Sequence, residues 1–150
     1  MIEMTVTVEG LAEVQTALRS LLPDRTARNV MKRVLLKHAQ PVAARASSQA
    51  PKKSGRLKVS IVAGDKLSRR QRSLTRKVNS DDVEVFIGAG VLPQAHLQEF
   101  GSSRHKAQPF MRPAWDSSRS TILDGIGADM WKEIEKAAAR IARKSAKAGR

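Results

Sequence analysis

Hydrophobic and polar positions alternate first with period two and then with a helical period. Met4, Val6 and Val8 alternate with Thr5 and Thr7, which predicts a strand with one buried face, stopped by Gly10. Leu11, Val14, Leu18 and Leu21 recur at helical spacing and predict a short amphipathic helix ending before Pro23. From Asp24, read as an N-cap, the stripe Ala27, Val30, Met31, Val34, Leu35, His38, Val42 and Ala46 predicts the longest helix, with a kink or break at Pro41. His38 is expected at the edge of the core.

Ala50 to Gly55 has the composition of a turn, with Pro51 and Gly55 as its structural residues. Leu57, Val59, Ile61 and Ala63 then alternate with polar residues, and Val83, Val85 and Ile87 do the same before Gly88 and Gly90; each run predicts a strand. Between them, residues 64–82 form a basic arm, expected as a long hairpin arm or mobile loop that contributes little to the core. A final helix is expected from Pro113 or Asp116 to the basic end of the chain, weakened by Gly125 and Gly127. The expected fold is α+β: a small, mostly antiparallel sheet packed against a long helix and a C-terminal helix, in a single domain spanning residues 1–150.

Composition sharpens this picture at one place. Aromatic residues make up only 3% of the chain, yet Phe100, Phe110 and Trp115 fall between His96 and Trp115. Large rings carry much of the contact energy in cores and interfaces, so this stretch marks packing. Pro109 and Pro113 bracket Phe110 and Met111, and the segment is expected to be a stiff, exposed peg that meets a neighbouring subunit, with burial under its own sheet as the competing reading.

A formal net charge of +14 points to polyanionic or acidic partners. In the arm, Lys66, Arg69, Arg70, Arg72, Arg76 and Lys77 are either solvated or in contact with DNA or an acidic neighbour. No cysteine is present, which fits a reducing compartment. Neither a spanning apolar run nor a signal-peptide pattern occurs, so a soluble protein without a membrane partner is expected.

Candidate chemistry is thin. Lys53-Ser54 lacks the glycine-rich lead-in of a phosphate loop. His96, Glu99 and His105 can be written as a metal triad, but their spacing matches no strong ligand pattern. No catalytic residue, cofactor or metal is assigned, and a non-enzymatic role is expected. DNA binding remains the alternative: a basic DNA-binding or packaging-associated protein, for which a recognition motif is missing.

Two segments resemble a known family. Glu99-Phe100-Gly101-Ser102 followed by Ala107-Gln108-Pro109-Phe110-Met111-Arg112-Pro113-Ala114 resembles the "EFGT... A-x-PF-x-RPA" signature of the head-to-tail connector, or tail-completion, family of long-tailed bacteriophages. Ala50 to Ile61 resembles that family's "AP-x-x-TG-x-L-x-x-SI" segment, and the Gly10-Leu11 opening extends the likeness over nearly the whole chain. Ser102 and Ser54 stand where the family has Thr, and the basic arm lies outside the shared pattern.

The resemblance implies a structural virion protein, assembled in the host cytoplasm, that forms a ring at the head-tail junction. As tail terminator or neck connector, such a ring, by implication a hexamer, would complete the tail tube and join it to the DNA-filled head. Partners would be further copies of itself, the tail tube protein, a head connector or stopper protein, and DNA in the channel. It places Glu99, Phe100 and Gly101 in a tight structural turn and Pro109, Phe110, Met111 and Pro113 in the segment beside it.

Overall fold

The structure is a computed structural model, and it describes residues 12–52, 55–67, 69–74, 82–90 and 92–148. The expected strand at residues 4–8 and the Gly10-Leu11 opening lie outside these. Helix α1 (Ala12–Leu21) buries Val14 and Leu18, as its periodicity requires. Helix α2 (Asp24–Gln49) is the long organising element and buries Ala27, Val30, Met31, Val34, Ala39, Val42, Ala43 and Ala46 along one side. Asp24 is its first residue and not its cap; Pro23 holds the cap position, and its carbonyl accepts from the Thr26 and Ala27 amides. Of the kink or break expected at Pro41, the break does not occur, because α2 continues through it. Pro41 lies on the exposed side, where water can take the carbonyl left without its helical donor.

Residues 57–60 are not strand. Gly55, at φ 70°, turns the chain into helix α3 (Arg56–Ser60), and only then does strand β1 (Val62–Gly64) begin. The run Leu57, Val59, Ile61 reads as period two, but the buried pair is Leu57 and Ile61, four apart, while Val59 is 80% exposed. Short apolar runs fit either period, and tertiary packing chose the helical one here. Ser47 Oγ, on α2, donates to the Lys58 carbonyl at 2.8 Å and holds α3 in place.

The basic arm carries the short helix α4 (Arg69–Leu74), so it is neither wholly extended nor wholly loop. Gln71 ties it to the Gly90 carbonyl at 3.2 Å. Strand β2 is limited to Phe86–Gly88 and pairs antiparallel with β1, matching Val62 with Gly88 and Gly64 with Phe86. The expected strand at Val83 to Ile87 is therefore shifted and shortened. Helix α5 (Pro93–Phe100) was not anticipated, although Pro93 at its start and Gly101 past its end are usual boundary residues.

Where one C-terminal helix was expected there are two. Helix α6 (Met111–Asp116) and helix α7 (Arg119–Ala148) are separated at Ser117 and Ser118. Arg45 Nη1 fixes that break: it donates to Ser117 Oγ at 2.8 Å and Ser118 Oγ at 3.0 Å. Among the described residues the fold is α+β, mostly helical, with a two-stranded antiparallel sheet.

Two apolar clusters lie along α2. Its first half packs with Val14 and Leu18 of α1 and with Ile126, Met130 and Ile134 of α7. Its second half packs with Leu57, Ile61, Ala89, Ala95, Phe110, Met111 and Ala114. Ile122 touches both clusters. No described helix is long and apolar enough to cross a membrane.

Candidate assembly surface

The segment from His96 to Trp115 is built around one carboxylate. Glu99 is only 2% exposed, and its Oε2 accepts the backbone amides of Phe110 at 2.8 Å and Met111 at 2.9 Å. Its Oε1 accepts the Arg112 amide at 3.0 Å. These are amides at the start of α6 that have no partner within the helix, so a side chain from α5 caps α6. Both oxygens are committed to the backbone, which makes Glu99 a structural acceptor.

Gly101 makes the approach possible. At φ 76° it takes a left-handed conformation, and a Cβ there would meet the Ala107 amide nitrogen and the His105 carbonyl, each at 2.9 Å. Only glycine fits such a position without displacing backbone. The loop beyond it closes with mutual bonds between Ser102 and His105 and a 2.7 Å bond from the Gln108 amide to the Gln98 carbonyl. Of the residues expected in a tight turn, Gly101 turns the chain at the end of α5, while Glu99 and Phe100 lie within that helix. Gly55, with its own positive φ, turns the chain between α2 and α3, and Pro51 lies on the way into that turn.

The exposed peg is a misreading. Phe110 is 0% exposed and Met111 2%, both inside the chain's own core, so neither offers a surface to another subunit. The sequence reading missed the anchor: three amides drawn onto Glu99 turn residues 110–112 inward. What remains outside comes mainly from α5. Phe100 is 47% exposed and Leu97 46%. The Arg112 guanidinium stacks over the Phe100 ring at 4.7 Å, and His96 packs against the same ring with centroids 4.9 Å apart. Pro109 and Pro113 are both exposed beside this site. Leu97 was not among the expected interface residues; its signal was an apolar residue directly off the buried Ala95 and Glu99 face.

A second exposed apolar pair, Val59 on α3 and Val62 on β1, is 80% and 59% exposed. In the basic arm Lys66, Arg69 and Arg72 are exposed, and for Arg70 only the backbone, within α4, is described. Arg76 and Lys77 lie outside the described residues.

A different set of charges joins α2 to α7. Asp129 Oδ2 lies 2.6 Å from Lys37 Nζ and 2.9 Å from His38 Nε2. The Lys37 hydrogen bond, with that of His38, lowers the Asp129 pKa to about 2. Glu133 bonds Lys136 at 2.9 Å and Arg33 at 3.0 Å, and its pKa is lowered chiefly by Lys136. Lys32 likewise lowers that of Asp65, 3.1 Å away. His38 borders an apolar groove of about 360 Å³ walled by Met31, Leu35, Ile87, Trp115 and Met130, but its Nε2 is already engaged by Asp129. The described residues bring together no group of three His, Asp or Glu side chains that could hold a metal.

Comparison with known proteins matches the chain to a family. The family model HK97-gp10_like, described as "Bacteriophage HK97-gp10, putative tail-component", matches residues 12–101. That match runs from the start of α1 to Gly101 and leaves α6 and α7 outside it. No curated protein and no solved structure matches the chain.

Proposed function

This chain belongs to the HK97-gp10-like family of bacteriophage tail components, and from that premise we propose that it is the single-domain subunit of a ring, a hexamer, at the head-tail junction. As tail terminator or neck connector, the ring completes the tail tube and joins it to the DNA-filled head. Its partners are further copies of itself, the tail tube protein and a head connector or stopper protein. The role is structural and non-enzymatic: the protein assembles in the host cytoplasm and ends in the virion.

The observation that carries this reading is the exposed Leu97 and Phe100 pair at the family-signature turn. Large apolar side chains held rigidly at a surface lose little freedom when they bind, which suits them as interface anchors. The Glu99 cap and the Gly101 turn supply that rigidity, and Pro109 and Pro113 stiffen the flank. Subunits of a ring meet through two different patches. Val59 and Val62, on other elements, supply a second one.

The test is the mass of the assembled protein, measured alone and with tail tube and neck partners. The wild-type chain should form a closed ring. Leu97→Asp combined with Phe100→Ser should remain a folded monomer by circular dichroism and fail to close. A wild-type chain that stays monomeric with those partners present overturns the ring.

A further inference from the structure

Ala137 is the last buried residue of α7, and every residue from 138 to 148 is exposed. This length of helix, roughly 16 Å at the rise of an α-helix, has no other element packed on it among the described residues. It carries Arg140, Arg143, Lys144 and Lys147 and no acidic residue. Their spacing of i, i+3, i+4 and i+7 gathers all four within an arc of about 100° on one face. Among the described residues none of the four forms an ion pair; Arg140, nearest the body, only helps to keep Glu133 ionised.

This arrangement is costly to the helix alone, because like charges three and four apart repel. The helix dipole favours cations in the last turn but does not reach Arg140, two turns earlier. Solubility requires charge but not its collection on one face. The opposite face is Ala138, Ile141, Ala142 and Ser145, too small an apolar surface to anchor in a bilayer or a protein groove. A row of cations without an apolar complement fits a row of anions.

We propose that the last three turns of α7, through Arg140, Arg143, Lys144 and Lys147, bind the phosphate backbone of duplex DNA without reading its sequence. Side chains on one helix face can meet successive phosphates, and release of condensed counterions drives the association. The stripe lies outside the family-matched residues 12–101. It does not depend on ring formation.

The test is fluorescence anisotropy of a labelled duplex of about 25 base pairs, with salt varied from about 50 to 200 mM. The full-length protein should bind unrelated sequences equally. R140Q/R143Q/K144Q/K147Q should bind roughly a hundredfold more weakly at the lowest salt, with a log-log salt slope shallower by about 3 to 4. R25Q/K52Q/K58Q/K106Q removes the same charge from exposed positions elsewhere and should stay within about threefold of wild type. Equal loss in both variants would reduce the effect to net charge and overturn the proposal. So would binding to phosphatidylserine vesicles but not to the duplex. Independently of any variant, DNA should slow amide hydrogen exchange at residues 138–148 of the wild-type protein; unchanged exchange overturns the proposal even if the ring is intact.

Discussion

The two ends of α2 are held by opposite uses of a carboxylate. At the C-terminal end, Glu99 is buried and satisfied by three backbone amides, and the chain it gathers delivers Phe110 and Met111 to the core. Toward the other end, along the middle of the helix, Asp129 and Glu133 stay near the surface and meet Lys37, His38, Arg33 and Lys136 beside an aliphatic cluster. A buried acceptor cannot be lost without stranding its donors, whereas exposed ion pairs exchange readily with water. The first end should therefore depend on single residues and the second on summed apolar contact.

The largest effect should come from Phe110→Ala. Removing a fully buried ring costs about 3–5 kcal/mol, which urea unfolding will show as a lower midpoint. A variant of unchanged stability that fails only in assembly would return Phe110 to the interface and break the comparison. Glu99→Gln comes next, at about 1–3 kcal/mol, because an amide nitrogen replaces one accepting oxygen and faces donors. Its loss should depend on salt only weakly, through the exposed Arg112 guanidinium, whose Nε lies 4.0 Å from Glu99 Oε1.

Gly125→Ala probes the other end. A Cβ there would lie 2.5 Å from His38 Cε1, so the ring must move and give up Asp129. The displacement should outweigh the gain of about 1 kcal/mol in helix propensity, for a small net loss. In a His38→Ala background the same substitution should become stabilising. A net gain in the wild-type background would show that displacing the His38–Asp129 contact costs less than the gain of about 1 kcal/mol in helix propensity.

The smallest effect is the pH dependence carried by Asp129. Its pKa falls from the ordinary 3.8 to about 2 on folding, so its contribution is complete above about 4 and is lost as pH drops through about 2. Asp129→Asn should flatten the acid limb of the stability profile over that window by lowering stability at neutral pH, with little change below about pH 2. An unaltered acid limb would remove Asp129 from the comparison.

Much of the helical frame was legible in the sequence. The burial of Ala27, Val30, Met31, Val34, Val42 and Ala46 follows their spacing, and Val14 and Leu18 follow theirs, because a helix of adequate length exposes its period without help. Shorter pieces were less legible. Leu57 to Ile61 supports two periods equally, and α5 is only eight residues long. At the site, Glu99 and Gly101 were identified as turn residues from the family-like motif, but not the direction of the turn. That direction rests on bonds between residues 11 to 13 apart, which no local pattern encodes.

By itself, then, the sequence determined the α+β class, the long helix, the family signature and the excess of positive charge, since these rest on composition and on local periodicity. The tertiary structure decided which aromatic ring is inside and which is out. Phe100 and Phe110 stand ten residues apart with similar surroundings in sequence, yet one is half exposed under Arg112 and the other is fully buried. The difference arises because Glu99, itself buried against the core, draws the start of α6 inward by its unpaired amides and leaves its neighbour Phe100 facing water.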